Sequence, residues 1–282
     1  MGEKQGLPHQ QLATEPGTDV QARRPADRHD GMVKPEEHIA ELDADGALLA
    51  AAAERAGLDA PVPGCPLWKI RELLRHTGYV HRWAASYVAH GYQEEVDRCS
   101  EEELLRDGPG DAELLGWFRD GHAELVTTLR SADPALNCWA FLDAPSPLAF
   151  WARRQAHETA IHRADAQGAA DAVTAFPSAF AADGIDELLV GFASRGEVRG
   201  HALSLLVQTT DTGDEWLVEV GDGIVARRSA GDAGRADCLV AGPASELYLL
   251  LWNRLPDGGS VTVSGDPGLL RSWQAQVKVR WA

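Results

Sequence analysis

The sequence predicts a two-part fold, a four-helix bundle followed by a small α+β domain. In the first part, four segments between residues 36 and 168 carry apolar side chains every three or four positions, which is typical of amphipathic helices sharing a core. In the second part, short apolar runs separated by Gly and Asp turns alternate with helical segments. We therefore expect domains at residues 36–175 and 176–282. The preceding residues, 1–35, lack apolar periodicity and are interpreted as a disordered or loosely attached tail.

The helices of the first part have recognisable boundaries. Gly57 stops the first helix, whose apolar face includes Leu48, and a rigid Pro-rich connector at residues 61–66 follows it. Pro147 stands in the first turn of the fourth helix, where its missing N–H costs nothing. The predicted helices are residues 36–57, 67–91, 110–134 and 145–168.

The second part reads as an alternation of short elements, without an internal repeat. Its predicted strands are residues 201–211, 215–220, 236–242 and 261–265. Its predicted helices are residues 183–196, 243–254 and 266–277.

Composition excludes several classes of protein. With 282 residues, 44% of them hydrophobic, the chain is long enough for two ordinary globular domains. No apolar run approaches the roughly 18 residues of a membrane span, and the N-terminus lacks a secretory signal, so we expect a cytoplasmic protein. The net charge of −17 argues against nucleic acid and membranes as partners, because both are anionic. The four cysteines form no CxxC pair, so we interpret them as reduced and mostly buried thiols.

The fourth helix contains the run His157-Glu158-Thr159-Ala160-Ile161-His162. This is one residue too long for the HExxH zinc-protease motif, because the two histidines lie about 140° apart around a regular helix. Glu158 and His162 are four residues apart and share a face, so together they offer one carboxylate oxygen and one imidazole nitrogen.

A third ligand would come from the second helix, which carries His76 and His81 five residues apart, so only one of them can face the same point. Either could complete a His₂Glu site with an open fourth position, which is the catalytic kind of metal site. The alternatives are a surface ion pair for Glu158 and His162, and a satisfied core or boundary histidine for His76. His157 and His81 are interpreted as surface or supporting residues.

The segment PGCPLWKIRELLRHTGYVHRW, residues 63–83, resembles the second-helix motif of the DinB-like, mycothiol-dependent maleylpyruvate isomerase family. The segment ARRQAHETAIHRADA, residues 152–166, resembles the fourth-helix motif of that family. The segments EWLVEVGDGIVARR, ADCLVAGPASELYLLLWNR and VTVSGDPGLLRSW are similar to its sterol-carrier-like α+β C-terminal domain. The resemblance covers residues 36–282 in order. Separately, the chain has far fewer Lys than Arg residues, which is in keeping with an actinobacterial source.

The resemblance implies a metal triad at His76, Glu158 and His162, holding a divalent metal that in this family is usually Zn²⁺. It also implies mycothiol, a low-molecular-weight thiol, as cosubstrate beside a small electrophile. The family's active-site arginine from the C-terminal domain has two candidates in this chain, Arg254 and Arg271. Arg154 and His157 are candidates for orienting the metal ligands, and Trp83 and Trp151 for lining the pocket or packing in the core.

Three functions remain open on the sequence. The first is a metal- and mycothiol-dependent S-transferase that attaches the thiol to a small electrophile, in detoxification or in thiol exchange such as lincosamide assembly. The second is a maleylpyruvate-type cis–trans isomerase. The third belongs to another class, a non-catalytic protein that binds a small ligand in its C-terminal domain.

Overall fold

The computed structural model describes residues 33–96, 108–171, 173–193, 203–220, 223–229, 231, 234, 236–255 and 258–276. Most of the predicted tail and Cys99 lie outside these ranges. The helices of the first part are α1 (Pro35–Ala56), α2 (Ile70–His90), α3 (Asp111–Ser131) and α4 (Pro147–Ala169). The second part contains α5 (Ser178–Asp186), β1 (Leu203–Thr209), β2 (Glu215–Val220), β3 (Ile224–Arg228), β4 (Cys238–Gly242), α6 (Ala244–Leu251), β5 (Thr262–Gly265) and α7 (Pro267–Gln276).

The predicted fold class, a four-helix bundle followed by a small α+β part, is confirmed. Helix α4 packs mainly against α1, and α2 packs mainly against α3. The described strands form a sheet with the order β3-β2-β1-β4-β5, in which β1 and β4 are parallel and the other three pairs are antiparallel. None of the helices in the described part of the chain combines the length and apolarity that spanning a bilayer demands.

Helix α4 is the central element of the molecule. Ser146 caps its first turn by accepting a hydrogen bond from the backbone N–H of Ala149 at 3.1 Å. Nearly every side chain from Phe150 to Gln167 is buried, and alanines at every fourth position let neighbouring helices approach closely. Charged side chains on such a helix are also buried, and a buried charge is tolerated only with a partner. The fold therefore concentrates paired charges along α4.

Helix α2 has a recognisable signal at each end. It begins at Ile70, where Glu72 accepts a hydrogen bond from the backbone N–H of Lys69 at 2.9 Å. It ends at Gly91, whose φ of 64° is the left-handed conformation that glycine adopts without a Cβ clash.

Some details of the sequence prediction are wrong. Leu48 is 43% exposed, because it falls outside the stripe of α1 that faces the bundle. The second helix starts three residues later than expected, and Leu67 lies in the connector with 97% of its surface exposed. Strand β3 was not predicted, because its sequence, IVARR, is short and ends in two arginines. The helix expected at residues 183–196 begins earlier, as α5, and continues as a π-helical segment, Glu187–Phe192.

One hydrophobic core runs through both parts of the chain. It joins Trp83 and Trp151 of the bundle to Trp216 of the sheet and Trp252 beyond α6. A smaller cluster, built around Leu49, Leu73 and Phe118, fills the other end of the bundle. Trp83 and Trp151 therefore pack in the core, as one of their two predicted roles required.

Candidate metal centre

Three side chains from α2 and α4 converge on one point. The Nε2 atoms of His76 and His162 each lie 3.2 Å from the same oxygen, Oε1 of Glu158. The side chains of Glu158 and His162 are 4% and 8% exposed, so the surface ion pair considered for them is excluded. The side chain of His76 is 13% exposed and forms the outer edge. We call His76, Glu158 and His162 the open cluster.

The geometry of the open cluster suits a divalent cation. Zinc binds nitrogen and oxygen ligands at about 2.0–2.2 Å, which places neighbouring ligand atoms roughly 3.3–3.6 Å apart in a tetrahedral site. The two 3.2 Å separations are close to this spacing, and all three ligand atoms lie within 4.8 Å of one another. Three protein ligands leave a further coordination position for another molecule.

Two of the three residues, Glu158 and His162, have hydrogen-bond partners on the side facing away from the point of convergence. Arg154 donates from Nη2 to the other oxygen of Glu158, Oε2, at 3.1 Å, and also pairs with Glu187. Nδ1 of His162 lies 3.0 Å from Oδ2 of Asp165, which accepts its hydrogen. Arg154 therefore contacts a ligand as expected, and Asp165 supports a second one.

The electrostatics of the open cluster are those of a buried carboxylate balanced by a proton. Burial by itself raises the pKa of Glu158, but hydrogen bonds from His162 and His76 outweigh it and hold the pKa well below the usual range. Burial lowers the pKa of His162, but hydrogen bonds to Asp165 and Glu158 outweigh that and raise the pKa to about 9. Without metal, the cluster thus holds its carboxylate charge and keeps a proton on His162.

A charge count gives the same result. Three carboxylates, those of Glu158, Asp165 and Glu187, face two guanidinium groups, those of Arg154 and Arg254. One negative charge remains before the proton on His162 is counted. A divalent cation at the open cluster would take over the neutralising role of that proton.

Arg254, just after α6, reaches this site from the C-terminal part. Its Nε and Nη2 atoms donate to the two oxygens of Asp165, each at 3.0 Å. Its Nη1 donates to the backbone oxygen of Trp252 at 2.7 Å, and Nη2 lies 3.3 Å from Sγ of Cys65. Arg271 is exposed on α7, and within the described ranges no hydrogen bond links it to the cluster. The geometry thus favours Arg254 of the two candidates, and its catalytic role stays a prediction.

The connector between α1 and α2 forms a wall beside the site. The Trp68 ring lies 4.8 Å from the His76 ring and 6.0 Å from the His162 ring, measured between centroids. A Cβ on Gly64 would meet Oδ1 of Asp165 at 2.1 Å, so only glycine fits against that carboxylate. Sequence reasoning missed Trp68 and Asp165, although Asp165 follows His162 by three residues and so shares its helix face.

A second histidine–carboxylate group lies elsewhere along α4, and we call its residues, His38, His157 and Asp183, the closed cluster. The Nε2 atoms of both histidines lie 2.8 Å from Oδ2 of Asp183. Arg153 donates from Nε to that same oxygen at 2.9 Å, and the hydroxyl of Tyr248 lies 3.1 Å from Nδ1 of His157. All three cluster residues are buried. His157 thus makes these contacts instead of orienting the predicted metal ligands.

His81, which was interpreted as a surface or supporting residue, lies in the core. It is fully buried, and its Nε2 lies 2.8 Å from the hydroxyl of Thr159 on α4. Its ring centroid lies 5.6 Å from that of His122, for which no partner was predicted and whose Nε2 donates to the backbone oxygen of Leu42 at 3.0 Å. Burial lowers the pKa of both imidazoles, so they are neutral core residues. His201 lies outside the described residues.

Cys65, Cys138 and Cys238 are free thiols, and Cys138 and Cys238 are buried, as predicted. Burial raises the pKa of the Cys65 thiol to about 12. Cys65 is therefore protonated at neutral pH and acts as a weak hydrogen-bonding group beside Arg254.

Comparison with known proteins gives matches over both parts of the chain. Residues 39–167 match the family model described as the mycothiol maleylpyruvate isomerase N-terminal domain, and residues 179–272 match the model of its C-terminal domain. No curated protein matches the chain.

Two solved structures share the fold. The crystal structure of the mycothiol-dependent maleylpyruvate isomerase aligns with a TM-score of 0.60 and 15% sequence identity, over 91% of this chain and 100% of the other. A histidine-to-alanine mutant of that enzyme aligns with a TM-score of 0.59, the same identity and the same coverage.

Proposed function

Because the chain belongs to the mycothiol-dependent maleylpyruvate isomerase family, we propose that it is a metal-dependent enzyme that uses mycothiol to isomerise a cis-unsaturated diacid of the maleylpyruvate type. The observation that carries this proposal is the convergence of His76, Glu158 and His162 on one point, with Arg254 joined to that point through Asp165. The domain limits proposed are those predicted, 36–175 and 176–282.

The open cluster would hold the divalent cation through His76 Nε2, Glu158 Oε1 and His162 Nε2. When bound, a cation of this kind lowers the pKa of a coordinated thiol, which otherwise stays mostly protonated at neutral pH. Zinc is the metal we propose, because two imidazoles and one carboxylate are a common catalytic zinc set. Arg154 keeps Glu158 turned so that Oε1, and not Oε2, faces the two histidines.

Arg254 is proposed to bind a carboxylate of the substrate, because a guanidinium pairs with a carboxylate through charge-assisted hydrogen bonds. The mycothiol thiolate adds to one carbon of the cis double bond, which becomes a single bond as the adjoining carbonyl takes up the electrons. Rotation about that bond and loss of the thiolate restore the double bond in the trans form. The thiol is regenerated, so the reaction needs no oxidant or reductant.

Lasting S-transfer to another small electrophile, including the thiol exchange of lincosamide assembly, is the second proposal. It shares the activated thiolate, which the open cluster would supply equally. The thiolate then forms a lasting C–S bond, either by displacing a leaving group from the electrophile, as in thiol exchange, or by adding to it and taking up a proton. The non-catalytic alternative has lost support, because the chain belongs to a family of enzymes.

The test is to incubate the zinc-loaded protein with maleylpyruvate and mycothiol. We expect the trans isomer to form over many turnovers, with mycothiol undiminished and with activity lost on removing either zinc or thiol. Chromatography of the products and mass spectrometry for thiol conjugates give the readout. Accumulation of a conjugate in step with thiol loss would instead establish S-transfer, and no reaction with maleylpyruvate or with model electrophiles would refute both proposals.

The two candidate arginines can be separated by matched variants. Removing a charge-assisted hydrogen-bond pair costs about 1.5–3 kcal/mol, so Arg254→Gln should raise KM for maleylpyruvate roughly 10- to 100-fold. Arg271→Gln, on the exposed face of α7, should leave KM within twofold of wild type. The reverse pattern in steady-state kinetics would move the carboxylate-binding role to Arg271.

A further inference from the structure

Asp165 lies between a predicted metal ligand and the predicted substrate-binding arginine. Its side chain is wholly buried, and Oδ2 accepts hydrogen bonds from Nδ1 of His162 and from Nη2 of Arg254, each at 3.0 Å. Its other oxygen, Oδ1, accepts from Nε of Arg254 at 3.0 Å. One carboxylate thus joins the bundle to the segment that follows α6.

The contact with His162 fixes the direction of the imidazole. Because the carboxylate accepts a hydrogen from Nδ1, Nε2 remains for the convergent side of the cluster, 3.2 Å from Oε1 of Glu158. A carboxylate behind a metal-binding histidine in this way typically contributes 10- to 100-fold to metal affinity or activity.

The contact with Asp165 holds the Arg254 guanidinium in place and uses part of its hydrogen-bonding capacity. The planar group carries five N–H bonds. Asp165 occupies the edge formed by Nε and Nη2, and the backbone oxygen of Trp252 takes a hydrogen of Nη1. One hydrogen on Nη1 and one on Nη2 are left without an oxygen acceptor among the described residues. The sulfur of Cys65, a weak acceptor, lies 3.3 Å from Nη2 and also 3.7 Å from Oδ2 of Asp165. A carboxylate oxygen is a far stronger acceptor than that thiol.

We propose that Asp165 is a positioning residue that sets two groups at once, the direction of the zinc-facing nitrogen of His162 and the orientation of the Arg254 guanidinium toward the substrate. This inference rests on the proposed function and deepens it, by naming what holds the bundle's metal site and the C-terminal arginine in one arrangement. Asp165 itself touches neither metal nor substrate.

The same helix provides a matched control. Asp45 on α1 accepts a hydrogen bond from Nη1 of Arg163 on α4 at 2.9 Å, and both residues are buried. This pair is also a buried carboxylate and guanidinium. Arg163 follows His162 in the chain, but its side chain bonds to Asp45 and to the backbone oxygen of Thr174, and no hydrogen bond within the described residues joins either side chain to the open cluster. Asp45→Asn therefore removes the same kind of interaction without touching a ligand.

The experiment compares Asp165→Asn with Asp45→Asn and with wild type. An asparagine has one acceptor oxygen, so its NH₂ group must face either the Nδ1 hydrogen of His162 or a hydrogen of Arg254. We expect Asp165→Asn to bind zinc 10- to 100-fold more weakly in competition with a chelating dye. We also expect its KM for maleylpyruvate, measured with zinc in excess, to rise at least tenfold. Asp45→Asn should keep both quantities within twofold of wild type, whatever happens to its melting temperature.

The inference is overturned if either quantity in Asp165→Asn stays within twofold of wild type, or if Asp45→Asn shifts both as far. Should Asp165→Asn fail to fold, nitrogen-15 NMR of the zinc-loaded wild type decides the question. A hydrogen on Nδ1 of His162 supports the inference, and a hydrogen on Nε2 overturns it. A wild-type protein without mycothiol-dependent turnover would refute the proposed function, whereas the zinc affinity and the NMR signal would still test Asp165 alone.

Discussion

The open and closed clusters both combine two histidines with one carboxylate, and both draw on α4, yet they differ in where an arginine binds the carboxylate. In the open cluster, Arg154 takes Oε2 of Glu158 and leaves Oε1 to the two histidines. In the closed cluster, Arg153 donates to the same oxygen of Asp183 that both histidines contact. A cation entering the closed cluster would therefore meet a guanidinium already in place. We infer that the position of the arginine, and not the number of histidines, separates the proposed metal site from a buried hydrogen-bond network.

The spacing of His157 and His162 has the same meaning. Five residues apart, they point about 140° away from each other on a regular helix. The two histidines therefore belong to different clusters. His162 lies with Glu158 on one side of α4, and His157 lies on another side with Asp183.

The largest expected difference between the two clusters is in metal binding, and the number of metal ions per chain tests it. We expect one zinc per wild-type chain and none in His76→Ala, Glu158→Gln or His162→Ala. The turnover rate of each variant should fall roughly a thousandfold, because Lewis-acid stabilisation of the transition state is worth several kcal/mol. The matched variants His38→Gln and His157→Gln should each retain one zinc. Elemental analysis and turnover rates provide the measurement. Two zinc ions per wild-type chain, or zinc retained by all three open-cluster variants, would contradict the distinction.

The next effect concerns the stability of the closed cluster. Asp183 accepts from Arg153 and both histidines, so Asp183→Asn should lower the free energy of unfolding by about 3–5 kcal/mol, as expected when one partner of a buried ion pair is removed. Urea unfolding of the zinc-loaded protein measures this change. Zinc content should stay at one per chain, and its loss in this variant would show that the two clusters are not independent.

A smaller effect tests Asp45, a buried carboxylate outside both clusters that pairs with Arg163 and with no histidine. Burial raises the pKa of Asp45 to about 6, against a lowering by Arg163. Between pH 4 and 6 the folded chain binds a proton that the unfolded chain releases, so stability from this group is present at low pH and lost as pH rises through 6. At about 1.4 kcal/mol per pKa unit, this amounts to about 2–3 kcal/mol.

The measurement is urea unfolding of wild type and Asp45→Asn at pH 4.5, 5.5 and 7. The difference in unfolding free energy between them should shift in favour of the variant as pH rises. A pH-independent difference would mean that Asp45 is ionised throughout, as the carboxylates of the two clusters are.

Local periodicity was enough to predict the helices and the face shared by Glu158 and His162, because both depend on spacing within one helix. His76 and His81 were equivalent by spacing alone, and the resemblance to the family selected His76. In the structure, His76 lies 3.2 Å from Glu158, whereas His81 lies where Thr159 faces α2. That His76 binds a metal stays a prediction.

The closed cluster could not have been predicted in this way. His38 and Asp183 are separated by 145 residues, and no local pattern marks either of them as a partner of His157. The choice between Arg254 and Arg271 is of the same kind, because it depends on how the segment after α6 packs on α4. Asp165 was within reach of sequence reasoning, but an acidic residue on a helix is usually interpreted as solvated until burial is known.

The segment from α6 to Arg254 supplies one group beside each cluster. Tyr248 contacts His157 of the closed cluster, and Arg254 contacts Asp165, the partner of His162 in the open cluster. During synthesis, α1 to α4 leave the ribosome well before this segment does. Both polar clusters therefore lack hydrogen-bond partners until the rest of the chain has been made. The bundle can acquire its helices early, but its interior charges reach their final pairing only when nearly the whole protein has been synthesised. A truncated product ending after α4 would for this reason be a poor metalloprotein, even with every ligand present.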